Sequence, residues 1–245
     1  MTPRSQFLGV TLSAFDAFVA YYGEREMGLH ADTANAARVA EALRDLPEHA
    51  FNDASSPSGF ADARSYRESF WPKSWSYQLI CNFADAWKHR DITRSGRLIN
   101  GIGDVVERLL VIRCADNEGF YYVSRKLLSV TANDGHEYDL AEHIVHSMKL
   151  WSDELVRRAI IPKLPPLSTL PNYYQTRAQA ESAEPMRVLT YAKEHFELEQ
   201  RHWILESGSA ELRAVEKSDE YEARYNIVIK ALPSPFDNES TPQLR

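Results

Sequence analysis

The sequence predicts an α+β protein: an N-terminal helical bundle with a β-hairpin region, followed by a C-terminal antiparallel β-meander. Three observations predict it. In the N-terminal part, apolar side chains recur at helical spacing, as in Leu79, Ile80, Phe83 and Trp87. Between Val106 and Val130, β-branched and aromatic residues flank Asn117-Glu118-Gly119, a hairpin signal. Beyond a run of prolines, apolar and charged residues alternate at period two.

In chain order, residues 11 to 26 read as a first amphipathic helix with Gly23 near its stop, and Asp32 or Thr33 opens a second that Pro47 closes. Residues 51 to 59 are a loop by composition, and Phe60 to Phe70 are a third helix. Ser74 follows Pro72 and is a natural N-cap for the helix after it, over 74 to 90, because its hydroxyl accepts from first-turn amides. Asn100 to Asp104 form a turn, strands follow over Val106 to Arg113 and Phe120 to Val130, and Asp134-Gly135 turns again. Asp139 with Glu142 opens a helix whose apolar face is Ile144, Met148, Trp151 and Leu155, closed by Arg157 and Arg158.

Prolines 162, 165, 166 and 171 exclude a helix interior or a central strand. Helical composition returns between Gln175 and Glu184 and breaks at Pro185. Three runs then alternate: Phe196, Leu198 and Ile204; Ala210, Leu212 and Ala214; Tyr221, Ala223, Tyr225, Ile227 and Ile229. The implied layout is a bundle with hairpin and capping helix over 1–160 and a proline-rich linker over 161–171. A mixed region ending in a three-stranded antiparallel sheet covers 172–232, and a tail disordered by composition covers 233–245.

A chain of 245 residues with 44% hydrophobic and 26% charged residues is an ordinary globular composition. The net charge of −7 argues against a protein that coats nucleic acid through bulk electrostatics. Asp16 interrupts the apolar run near the N-terminus, which rules against an export signal, and no stretch is apolar enough to span a bilayer. Two cysteines, Cys81 and Cys114, read as buried free thiols in a reducing compartment, with one disulfide between them the unforced alternative. The protein is therefore expected in the cytoplasm, away from membranes.

Chemistry concentrates around the Ser74 helix. Asn82, Asp85 and His89 are three and four residues apart and share one stripe, which allows His89 to act as a base oriented by the other two, with Lys88 beside it. The same spacing also suits a helix end whose buried His89 and Asn82 tie down a neighbouring loop, and that reading is preferred because buried polar groups need partners whether or not they do chemistry. Lys88, Arg90, Arg94 and Arg97 form a basic cluster that could bind an anionic partner, with Trp87 or Trp75 to stack, although both tryptophans lie on the apolar face.

The run Cys81-Asn82-Phe83-Ala84-Asp85-Ala86-Trp87-Lys88-His89 resembles a signature of uncharacterised bacterial and phage-type proteins: a helix-borne Asn or Asp, two residues, then Lys-His, with a β-hairpin and a Trp-bearing helix downstream. The resemblance spans roughly residues 10 to 160. Cys81 and Asp85 stand where that signature has Arg and Asn, and no function comes with it.

Other constellations are weaker. His143 and His146, at i and i+3 with His136 and Glu142 nearby, are candidate metal ligands, but no His-Glu-x-x-His or cysteine pair accompanies them and structural histidines are preferred. A HEPN-like ribonuclease needs Arg and His four to six residues apart on a helix. Arg25 with His30 and Arg44 with His49 meet the spacing, whereas His89 has no Arg at 82 to 84. Gly101 and Gly103 lack the strand and the third glycine of a nucleotide loop, and no nucleophile elbow occurs. The resulting expectation is a non-enzymatic binding or assembly module without a cofactor, its partner a protein rather than a nucleic acid. The alternative is a His89-centred hydrolase or HEPN-like ribonuclease.

Overall fold

The computed structural model describes residues 1–52, 59–90, 96–171, 176–191, 200–205, 212–215 and 227–232, with backbone only from residue 190 on. The class is α+β, as the periodicities imply. The chain groups into two units. One comprises Met1–Gly23, Asp32–Glu107 and Leu127–Pro171; the other comprises Glu24–Ala31, Arg108–Lys126 and Asn172–Arg245.

The first unit is mainly helical. Helix α1 (Pro3–Ser5), capped by the Thr2 hydroxyl, runs through a π-helical turn at Gln6–Thr11 into α2 (Leu12–Gly23). After strand β1 (Glu26–Gly28), which belongs to the second unit, helix α3 covers Ala31–Phe51. It does not stop at Pro47, as the proline suggests, but continues through it. A proline there lacks the amide that would bond the Leu43 carbonyl one turn back. The buried Tyr77 hydroxyl donates to that carbonyl instead, at 3.2 Å, so the gap left by the proline is filled from another helix. Burial holds the Tyr77 pKa well above its usual value, which keeps the hydroxyl a donor.

Helix α4 (Ala63–Glu68) is opened by an Asp62–Ser65 capping box, and a 3-10 turn at Trp71–Lys73 leads to α5 (Trp75–His89). Ser74 caps α5 as the sequence predicts, its Oγ accepting from the Tyr77 amide at 3.1 Å. From Tyr77 to Ala86 this helix is buried round its circumference, with only Gln78 and Asp85 partly open. It is the central helix of its unit. Residues 87 to 90 are all exposed, so the helix leaves the core abruptly in its last turn.

Strands β2 (Val105–Asp116) and β3 (Gly119–Thr131) form the hairpin, and β4 (Glu137–Asp139) pairs antiparallel with the end of β3, Val130 opposite Tyr138. Asp139 caps α6 (Leu140–Arg157), accepting from the Ala141 amide at 3.0 Å, and α5 and α6 pack side by side. The core joins Phe15 and Phe18 of α2, Leu43 and Leu46 of α3, Leu79, Ile80 and Phe83 of α5, and Ile144 and Trp151 of α6, all fully buried. The proline-rich segment carries no helix or strand, and it is docked rather than free. Ile161 is buried in the core, Leu167 and Leu170 pack against it, and the Ser168 hydroxyl donates to Asp16 at 2.7 Å.

In the second unit, α7 (Arg177–Ser182) is capped by Thr176, and β5 (Met186–Tyr191) lies between β1 and β8 (Ile227–Leu232), both parallel to it. Gly28 sits at φ +113° with its α-carbon against the Leu189 carbonyl, where a side chain would collide with backbone. A small cluster of Met27, Leu109, Val111, Met186 and Val188 forms this unit's described core. Strand β6 (Gln200–Leu205) runs parallel to β2 and antiparallel to β7 (Leu212–Val215).

The first two alternating runs thus pair as expected where they are described, Trp203 opposite Ala214, while the third joins β5 rather than β7. Ile227-Val228-Ile229 is a continuous apolar run, the pattern of a strand covered on both faces, which suits a parallel partner. Phe196, Leu198, Ala210, Tyr221, Ala223, Tyr225 and the tail over 233–245 lie outside the described residues.

Candidate functional site

The polar stripe of α5 starts one turn earlier than the sequence pattern suggested. Gln78, Asn82 and Asp85 hold the segment 96–98 against the helix. Gln78 Nε2 donates to the Gly96 carbonyl at 3.3 Å, the Leu98 amide donates to Asn82 Oδ1 at 2.7 Å, and Arg97 pairs with Asp85 at 2.6 Å. From the other side, Asn133 donates its main-chain amide to the Leu98 carbonyl at 2.7 Å and its side-chain amide to the Arg97 carbonyl at 2.9 Å. The loop that leaves α5 is closed at its base by the Ile102 amide donating to the Arg90 carbonyl at 2.9 Å. Every group on this stripe up to Asp85 therefore works to fasten a returning chain.

Asp85 is the hub. Besides Arg97 it takes Arg44 Nη1 of α3 at 2.9 Å, and the three side chains are 19%, 12% and 13% exposed. Arg44 also pairs with Asp45 at 3.1 Å, and its pKa is raised by these carboxylates despite its burial. A carboxylate held between two guanidinium groups is committed to them and is not free to orient a base.

His89, the expected reactive group, is exposed at the helix end and makes no side-chain hydrogen bond or ion pair among the described residues. Neither Asn82 nor Asp85 reaches it, so the trio shares a stripe without forming a constellation. Lys88 is likewise exposed and unpaired among the described residues. Arg90 caps the helix at φ +61° and ψ −56°, its amide on the Ala86 carbonyl at 2.7 Å. Trp87 is 36% exposed and so is not a core residue, because α5 outruns the core in this turn. The basic cluster divides: Lys88 and Arg90 face solvent, Arg97 turns inward to Asp85, and Arg94 lies outside the described residues.

The histidine pair of α6 is also structural in its surroundings. His143 Nδ1 shares a hydrogen bond with Ser76 Oγ at 2.9 Å, and its ring contacts Trp75, Tyr138 and His146 at centroid distances of 5.1, 5.7 and 6.1 Å. Burial, helped by His146, pulls its pKa down to about 4, so the imidazole is neutral at ordinary pH. His146 is exposed, and among the described residues no group of three or more His, Cys, Asp or Glu side chains could hold a metal ion.

The Arg and His pairs at ribonuclease spacing have other duties. Arg25 donates to the Glu184 and Ser124 carbonyls, and Arg44 serves Asp45 and Asp85. Gly101 and Gly103 belong to a 3-10 turn tied by Asp104 Oδ2, which accepts from the Asn100 amide at 2.6 Å. Cys81 and Cys114 are buried and free, and burial pushes the Cys81 thiol up to about 12, which leaves it inert.

Local spacing could not have disclosed Arg44, which meets Asp85 from 41 positions away. Nor does it reveal the second polar hub, where the Tyr66 hydroxyl donates to Glu154 at 3.2 Å and accepts from Arg158, while Arg157 grips both Glu154 oxygens. No helix among the described residues is long and apolar enough to cross a membrane. None of the protein families, curated proteins or solved structures compared with this chain matches it.

Proposed function

We propose that this protein is a non-enzymatic binding module that works in the cytoplasm and meets a protein partner through the exposed end of α5, residues Trp87 to Arg90. One observation carries the reading: the groups that would have to serve His89 as a catalytic set are occupied. Asn82 holds the Leu98 amide and Asp85 is clamped between Arg44 and Arg97. What the helix leaves free is a short surface of cations and one aromatic ring on a rigid, buried stem. On this view the helix-borne Asn/Asp-x-x-Lys-His signature is a staple for the following loop, and its Lys-His end is the part that meets a partner. Two buried free thiols suit a reducing compartment.

The exposure of His89 favours the rival reading, a HEPN-like ribonuclease or another hydrolase. Incubation of purified protein with a fluorogenic RNA separates the two. The binding reading expects no turnover above that of the His89→Ala variant, and RNA cleavage that disappears in that variant would overturn it.

A further inference from the structure

We infer that the partner surface is acidic, a carboxylate-bearing segment of another protein gripped by Arg90; this rests on the binding reading above and names its partner. The cations of a helix end usually need no partner, because the macrodipole favours them there. That accounts for Lys88 and His89, but not for Arg90. A residue just past a helix that adopts positive φ is ordinarily glycine or asparagine. Arg90 takes φ +61° and ψ −56° and is held there from both sides, its amide on Ala86 at 2.7 Å and its carbonyl under the Ile102 amide at 2.9 Å. Leu29, His30 and Ala159 take positive φ as well, so the conformation fixes where the Arg90 backbone sits, and the exposed cation on that fixed backbone is what a partner can use.

Charge then selects the partner. Among the described residues Lys88, His89 and Arg90 make no ion pair, and the nearest carboxylate on their helix, Asp85, is neutralised by Arg44 and Arg97. The chain as a whole carries −7, so an acidic segment is repelled by most of the surface and is received at this cationic corner. Nucleic acid is the poorer fit. So few cations neutralise few phosphates, and one aromatic ring offers a stacking place for a single base only. A carboxylate suits the planar fork of arginine, with the ammonium of Lys88 beside it and Trp87 as an apolar edge.

The test uses the full chain, a fluorescein-labelled peptide of alternating glutamate and leucine, and a labelled oligouridylate of equal length, read by fluorescence anisotropy. The peptide should bind the wild type more tightly than the oligonucleotide does. Arg90→Gly should weaken that binding about tenfold or more while raising the Tm, and Arg90→Lys should fall between the two. Equal binding by Arg90→Gly, a lowered Tm in that variant, no peptide binding by the wild type, or tighter binding of the oligonucleotide would each overturn the inference. The two readings fail separately. RNA cleavage sinks the binding module itself, whereas indifference to the peptide without cleavage sinks only the acidic partner.

Discussion

Asp85→Asn decides whether the polar stripe of α5 is architecture or chemistry. The substitution keeps the shape of the side chain and removes its charge. It leaves Arg97, 12% exposed, without a carboxylate, and deprives Arg44, 13% exposed, of the closer of its two partners. Breaking a fully buried pair costs about 3–5 kcal/mol. Arg44 keeps Asp45 at 3.1 Å and the hub is not sealed, which lowers the expectation to about 2–3 kcal/mol. For a unit of this size that corresponds to a fall in Tm of about 6–10 °C. Tryptophan fluorescence is a suitable probe, since Trp71, Trp75, Trp87 and Trp151 all belong to the first unit. The companion His89→Ala should stay within about 0.5 kcal/mol of wild type, because His89 is exposed and unpaired among the described residues. A carboxylate retained for catalysis behaves in the opposite way, and its removal is neutral or stabilising. An unchanged or raised Tm for Asp85→Asn would therefore refute the structural reading of the stripe.

Tyr77→Phe leaves the Leu43 carbonyl without its donor and should cost about 1–3 kcal/mol in chemical denaturation. In a Pro47→Ala background the restored main-chain amide competes for that carbonyl, so the cost should shrink to about half or less; equal costs in both backgrounds would show that the hydroxyl and the proline are not coupled. For His143 the folded pKa, about 4, lies below the ordinary 6.5, so the unfolded chain binds the proton more readily. Its contribution is complete above pH 6.5 and is lost as the pH falls towards 4, by about 1–2 kcal/mol after allowance for screening at a half-buried site. Stability measured at pH 7 and pH 5 should fall further in wild type than in His143→Gln, and parallel losses would contradict the assignment.

Much of this was legible in the amino-acid order because it depends on local rules. Ser74 and Asp139 cap their helices because a short oxygen-bearing side chain before an apolar run reaches the first amides wherever it occurs. Ile144, Met148, Trp151 and Leu155 fall on the buried face of α6 because 3.6 residues make a turn. The prolines after residue 160 exclude helix and strand for want of an amide, and the structure has neither there. Asn82 ties down a neighbouring segment because polar groups on a buried helix must find partners, whereas His89, which the same stripe assigns to that task, is exposed.

Periodicity, however, carries direction without depth and pattern without partner. Trp87 follows Phe83 by four residues and continues its stripe, yet one is fully buried and the other is at the surface, because the bundle ends between them. Pro47 reads as a stop, and only Tyr77, 30 positions on, lets the helix pass through it. The last apolar run is a strand as its residues suggest, but whether β7 or β5 receives it is a matter of which edge is open beside it. The chain alone therefore determined the main helices, the hairpin, the caps at Ser74 and Asp139 and the polar edge of α5, which arise within a few residues, whereas the parallel pair β1 and β5 carries no such local mark. Tertiary structure alone decided that Asp85 meets Arg44 and that His89 meets nothing described, because contacts between distant residues depend on how the helices pack and not on the spacing along any one of them.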